Sequence, residues 1–382
     1  MKIVYIHDSI ARIGGLERIL VDKMNYLAEV YNYEIYLITS SQGEHPYSFP
    51  LSSKIKHIDI NTRFHIQYLY KYPKRLWIKW KVNRKFKNNL QKRIQTINPD
   101  IIIGTTYYEA DTISQLKCNA KIIIESHCAK SYTGKNDRIK RNLIIQLFYR
   151  LNLIRYNNII KKNSYTIVTL TKGDAIEWGE PHKTYVIPNV ITQIATTLSS
   201  CENKKVIAVG RLTHQKGFDI LIKIWKIVNF KHPNWELDIY GSGELENNLN
   251  EQICKEGLQN NITIYPPTTK IYQEMQNSSV FVLPSRYEGF GLVLIEAMTN
   301  GLPCISFDCP YGPSDIITDG EDGFLIHNGD IQAMADKICY LIENENIRKQ
   351  MGQKAHQSAM RYAPENIMPM WDNFFNKLLN HE

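Results

Sequence analysis

The stretch Ser279–Asn300, SVFVLPSRYEGFGLVLIEAMTN, constrains this chain more than any other. Ser279 to Leu283 is short, apolar and rich in branched residues, the pattern of a strand buried on both faces of a parallel sheet. Pro284 and Ser285 end it, a loop with two glycines follows, and an amphipathic run extends from Leu292 to Met298. Such a loop between strand and helix leaves unpaired backbone N–H groups at the positive end of the helix dipole, which suits a phosphate. Gly289, Phe290 and Gly291 supply that loop. Glu288 lies in it, and Glu296 stands on the helix it opens, about two turns along. A loop carboxylate can accept hydrogen bonds from sugar hydroxyls, and one near a helix start can hold a ribose diol. Spacing alone fits equally well a solvated glutamate beside an ordinary helix start.

The same alternation runs through the chain. Lys2–His7 reads as a strand, Ile10–Gly15 as the loop after it, and Leu16, Ile19, Leu20, Met24 and Leu27 as the apolar face of a helix. Gly14 and Gly15 let backbone approach a ligand closely. Glu17 either favours the helix start electrostatically or meets acceptor hydroxyls, since a carboxylate would repel a diphosphate. Strands are expected at 34–39, 56–60, 100–105, 121–125 and 165–170, alternating with helices, which describes a doubly wound parallel sheet. His127 falls at the carboxyl end of one of these strands, where such sheets bind ligands. Thr192–Asn203 is polar and weakly patterned, a linker. A second sheet begins at Lys205–Val209 and continues through Trp235–Tyr240 and Asn261–Tyr265. Arg211 and Lys216 flank its first strand-to-helix loop and can converge on a diphosphate, Arg through a bidentate fork and Lys as a compact charge.

At 382 residues the chain suits two domains, and 43% hydrophobic content is globular. No run reaches the roughly 18 apolar residues of a membrane span, and the N-terminus enters a strand without a signal-peptide core. Seven scattered cysteines without CxxC spacing read as reduced thiols in a cytoplasmic protein. Charge is divided unevenly. Residues 1–200 hold 30 Lys and Arg against 15 Asp and Glu, a balance of +15, while residues 201–382 hold 16 against 23, a balance of −7. The densest basic run, Tyr68–Arg93, has ten Lys/Arg and no acid, interleaved with Tyr68, Tyr70, Tyr72, Trp77, Trp80 and Phe86. A second basic region runs from Arg138 to Lys162. Aromatics among cations suit an anionic membrane surface. Nucleic acid would suit them too, but no recognisable nucleic-acid motif accompanies them. A solvated helix with some core aromatics is the third reading.

Glu288–Glu296, EGFGLVLIE, resembles the E-x7-E signature of the retaining nucleotide-sugar glycosyltransferases of family four. The likeness continues through Val209–Ile222 (VGRLTHQKGFDILI), Tyr240–Leu249 and Gly301–Ile326, and more thinly through Gly14–Leu20 (GGLERIL) and Glu125–His127 (ESH). It implies an α/β protein of the GT-B type, two doubly wound Rossmann-like domains with a cleft between them. Residues 1–190 would form the acceptor-binding domain and 191–364 the nucleotide-sugar-binding domain, with a terminal helix at 365–382 crossing back to the first. The implied activity is retaining transfer of a sugar, most simply UDP-linked, to a saccharide or lipid-linked saccharide in cell-surface polysaccharide synthesis. Arg211 and Lys216 would hold the leaving diphosphate, Glu288 the sugar hydroxyls, Glu296 the ribose, and His127 would approach the sugar. Gly14, Gly15, Gly289, Phe290 and Gly291 would contribute loop N–H groups, and Glu17 would touch acceptor. The chain has no DxD pair, and neither a metal nor a cofactor is expected. The expected partners are the nucleotide sugar, its acceptor and an anionic membrane surface at the inner face of the plasma membrane. Pro266 and Pro267 stand where related enzymes carry a glycine near the base, which leaves the base open. A GT-B epimerase and a non-catalytic nucleotide-sugar binder are the alternatives; a phosphorylase would need pyridoxal phosphate on a lysine in a longer chain.

Overall fold

The computed structural model describes residues 1–12, 14–71, 73–104, 110–113, 115–128 and 165–380, with the side chains at 110 and 111 excepted. The second basic region, 138–162, and Tyr72 lie outside them. The chain divides into two compact units. The first comprises Met1–Leu170, Asp174–Val190 and Met368–Glu382, and the second Thr171–Gly173 and Ile191–Ile367.

In the first unit seven strands form one sheet: β1 (Lys2–His7), β2 (Glu34–Thr39), β3 (Lys56–Asp59), β4 (Ile101–Gly104), β5 (Lys121–Ser126), β6 (Tyr165–Thr169) and β7 (Thr184–Val186). Their order is β3-β2-β1-β4-β5-β6-β7, and every pairing is parallel. Central strands such as Ile101–Gly104 are buried throughout because helices cover both faces of such a sheet. Helix α1 (Gly15–Glu29) buries Ile19, Leu20, Met24 and Leu27, and also Lys23. Helix α2 (Lys74–Ile97) packs Phe86, Leu90, Ile94 and Ile97 into the core of this unit. Its first turns carry Leu76, Trp77 and Trp80 on the outside, each more than half exposed.

The second unit repeats the plan with six strands: β8 (Lys205–Val209), β9 (Glu236–Tyr240), β10 (Ile262–Tyr265), β11 (Val280–Leu283), β12 (Cys304–Asp308) and β13 (Gly323–His327). The order β10-β9-β8-β11-β12-β13 is again wholly parallel. Helix α3 (Phe218–Lys231) buries Leu221, Ile224, Trp225 and Val228 against it. Helix α4 (Leu292–Thr299) departs from the amphipathic run that its sequence suggests. It buries Leu294, Ile295, Ala297, Met298 and Thr299 because the helix Glu345–Ala359 packs against it, leaving Glu296 half-buried. The terminal helix α5 (Pro364–Asn380) buries Trp371, Phe374 and Phe375, and its residues from Met368 on belong to the first unit.

Gly217 joins β8 to α3 in the left-handed region, at φ 68°, and a Cβ there would strike the Pro284 carbonyl oxygen. Gly217→Ala therefore meets both backbone strain and a backbone collision. The variant is expected to lose more than about 1 kcal/mol of unfolding free energy. Denaturant titration checks this, and unchanged stability would mean that the loops after β8 and β11 are not held this closely.

Candidate active site

In both sheets the strand order reverses beside the first strand, and ligands of open α/β sheets bind where the loops part at such a point. In the second unit the reversal lies between β8 and β11, whose register sets Val280 opposite Val206 and Phe281 opposite Ile207. The loop after β8 carries Arg211 and Lys216, and the loop after β11 carries Glu288. The structure brings these two loops together. Lys216 Nζ lies 2.6 Å from Glu288 Oε1, and Ser285 Oγ donates to the same oxygen at 2.6 Å. Glu288 is almost wholly buried, and among the described residues its Oε2 takes no partner. An ammonium has three donors, so Lys216 can bind a second anion while paired. Exposed Arg211 donates to Gln215 Oε1 at 3.3 Å. Gln215 in turn donates to the Tyr287 carbonyl at 3.0 Å and accepts from the Arg286 amide at 2.8 Å.

Arg286 locks the same two loops with a fork to Asp219, at 2.8 and 2.7 Å, and a bond to the His214 carbonyl at 2.7 Å. Burial alone would raise the Asp219 carboxyl, but this guanidinium holds it below the ordinary range. Glycines 289 and 291 bracket Phe290, whose ring is buried against Tyr362 with centroids 5.7 Å apart. Phe290 can therefore meet a ligand only through its backbone. Gly291 caps α4 in the left-handed region with no side-chain acceptor on the N–H groups, as the sequence pattern anticipates for an anion site.

The first unit holds a second group of polar residues at strand ends. His127 follows β5, and its Nε2 lies 3.0 Å from Glu125 Oε2. Glu125 Oε1 lies 2.5 Å from Lys23 Nζ, and both of these side chains are 2% exposed. Burial would raise the Glu125 carboxyl, but the Lys23 charge and the His127 hydrogen bond hold it at about 2. His7, at the end of β1, is pushed down to about 4, chiefly by burial. Gly14 is extended and precedes α1. Glu17 folds its carboxylate back over Gly14, where a Cβ would collide with it. The helix start itself takes no side-chain cap hydrogen bond.

Sequence reasoning named Arg211, Lys216, Glu288 and Glu296 but missed the residues that connect them. Ser285, Gln215, Asp219 and Arg286 carry no spacing signal, because their partners lie up to 72 residues away. Lys23 did leave a signal. It sits four residues after Ile19 and four before Leu27, squarely on the apolar face of α1.

The fold is that of the GT-B glycosyltransferases. A mutant of Staphylococcus aureus TarM, solved with fondaparinux, alpha-GlcNAc-glycerol and UDP, superposes with a TM-score of 0.77 at 17% identity, over 98% of this chain and 99% of that one. Residues 192–358 match the family described as glycosyl transferases group 1. An uncharacterized glycosyltransferase of Haemophilus influenzae is 29% identical over 375 residues, covering 97% of this chain and 98% of the relative. The amylovoran biosynthesis glycosyltransferase AmsD of Erwinia amylovora is 28% identical, covering 98% and 99%. Along nearly its whole length the chain is thus similar to two bacterial glycosyltransferases, one of them of amylovoran biosynthesis, and its second half carries the group 1 match. These relatives favour sugar transfer over epimerisation.

The displaced His7 gives a pH dependence. Its folded pKa, about 4, lies below the ordinary 6.5. The unfolded chain therefore takes up a proton first as pH falls, and stability is lost from about pH 6.5 down to about 4. The loss attributable to this group is about 3 kcal/mol. Unfolding free energies at pH 7 and 4.5 should differ less in His7→Asn than in the parent, and equal differences would remove His7 as the source.

Proposed function

We propose that this glycosyltransferase moves a sugar from UDP to a saccharide or lipid-linked saccharide with retained anomeric configuration, needing neither metal nor cofactor. The observation that carries this reading is the Lys216–Glu288–Ser285 cluster at the strand-order reversal, beside Arg211 and the glycine-capped start of α4. Breaking the anomeric bond puts negative charge on the departing diphosphate. Arg211, Lys216 and the N–H groups after Gly291 neutralise it electrostatically, the role that a metal would otherwise take. Glu288 Oε2 accepts from hydroxyls of the sugar, and Glu296 holds the ribose. No side-chain nucleophile is assigned. The acceptor oxygen attacks the face the diphosphate leaves, and its proton passes to the leaving phosphate oxygen. The UDP in the TarM complex supports the choice of base. In the first unit, His127, Gly14 and Gly15 are assigned to the donor and Glu17 to the acceptor.

Arg211→Ala and Lys216→Ala should each raise the barrier by about 2–4 kcal/mol, as loss of one oxyanion donor does. Near-parental turnover of UDP-sugar in both variants would remove the diphosphate assignment. Glu288→Gln should abolish turnover while free UDP still binds, whereas Glu296→Ala should weaken binding of free UDP in calorimetry. Full activity in excess EDTA is the expected result for metal independence.

We further propose that the first domain docks at the inner face of the plasma membrane, on anionic lipid, to reach a lipid-carried acceptor. Support comes from the outer face of α2, where Lys81 lies over the Trp77 ring at 5.2 Å and Arg84 over Trp80 at 5.3 Å. Both indoles are 55% exposed. No helix among the described residues is long and apolar enough to cross a membrane. Each Lys or Arg near such a surface contributes about 1 kcal/mol, screened within a Debye length. Sedimentation with phosphatidylserine liposomes should rise with anionic content and fall with salt. Replacing Lys79, Lys81, Arg84 and Lys85 by Ser should weaken it. Indifference to anionic liposomes at low salt would leave α2 a solvated surface.

A further inference from the structure

Lys23 is a lysine taken out of water on the apolar face of a helix. It lies 2.5 Å from Glu125, 4.0 Å from the centroid of the Trp371 ring and 5.4 Å from that of Tyr5. Burial pulls its pKa down, and the Glu125 carboxylate opposes that. A buried ion pair is weak evidence of stability, since apolar residues of like volume often hold a core as well or better. What an apolar pair would lack is a second carboxylate oxygen. Glu125 gives Oε1 to Lys23 and Oε2 to His127 Nε2. An ionised carboxylate only accepts, so Nε2 must carry the hydrogen. In the neutral ring the lone pair is then on Nδ1, which takes no partner among the described residues. Among the described residues, His7 faces Glu125 and His127 and is itself near Asp8 and Arg12, and Tyr5 faces Glu125.

We propose that Lys23 and Glu125, backed by Trp371, are positioning residues that fix His127 as its Nε2–H tautomer and present Nδ1 as acceptor to a hydroxyl of the transferred sugar. The sugar contact rests on the assignment of His127 to the donor made above, but the tautomer does not. The device is removed without orphaning a charge by changing Lys23→Met and Glu125→Leu together. In the full chain labelled with 15N-histidine, at pH 8, His127 should show protonated Nε2 and bare Nδ1, its signals identified by their absence from His127→Gln. In the paired variant the two tautomers should mix. Thermal stability should hold while kcat falls about 100-fold, the cost of a misplaced group, with KM for UDP-sugar little changed. Adding His127→Ala to the paired variant should cost nothing more, because the pair acts through that ring. The inference is overturned by an Nδ1–H tautomer in the parent. It is equally overturned if the paired variant keeps full kcat while His127→Ala loses it, or if His127→Ala costs the paired variant as much as it costs the parent. Should the paired variant fail to fold, the parent's tautomer decides. A fully active His127→Ala would instead sink the sugar contact and leave the tautomer measurement to judge the positioning.

Discussion

Parallel pairing is the constraint on which the rest of this protein depends. A parallel strand cannot follow its neighbour through a hairpin, so each connection must cross over through a helix or long loop. Two crossovers that leave the first strand in opposite directions open a gap between the loops at their carboxyl ends. In the second domain these are the loops after β8 and β11. Arg211, Lys216 and Glu288 stand on those two loops. The Arg286–Asp219 fork and the Gln215 bridge span the gap, and Gly217 allows the backbones to approach. Rigid hydrogen bonding around a site keeps its charges aimed without reorganisation when a ligand arrives.

That frame was legible from the sequence because it rests on local signals. Short branched runs ending in Pro or Gly marked the strands, and the periodicity of α1 marked the first helix between them. The long GRL-x3-KG and E-x7-E contexts marked the anion loops. What was not legible is pairwise. Nothing in the string shows that Lys216 meets Glu288 rather than only a phosphate, since the pair spans 72 residues and depends on β11 lying beside β8. The enclosure of α4 was hidden for the same reason, as it depends on a helix more than forty residues further along.

The charge division acquires a physical meaning once the helices are placed. Much of the first half's excess lies on α2, whose later turns are anchored by Phe86, Leu90, Ile94 and Ile97, so the cations cannot all turn inward. Its first turns keep Trp77 and Trp80 exposed under cationic side chains. Exposed indoles beside cations cost solubility in water and gain at an interface where one side is apolar and the other charged. The second domain, with its negative balance, instead concentrates its useful cations at one point, Arg211 and Lys216.

Two buried cations show how differently a charge can be accommodated. Arg348, 2% exposed, spends its donors on backbone carbonyls: Cys201 at 2.8 Å, Leu341 at 2.6 Å and Ile342 at 3.0 Å. Leu341 and Ile342 close the helix Ile331–Glu343, so this guanidinium caps orphan carbonyls and ties in the segment at Cys201. Its hydrogen bonds end there. Lys23 is no more exposed, yet its bond goes to a carboxylate, and a carboxylate has a second oxygen to give. The chain of contacts therefore continues through Glu125 to a histidine at a strand's carboxyl end, the place where a sheet of this kind meets its ligand. Burial alone does not separate a structural charge from a functional one. The distinction lies in whether the last acceptor is backbone, which finishes the account, or a side chain that passes the orientation on.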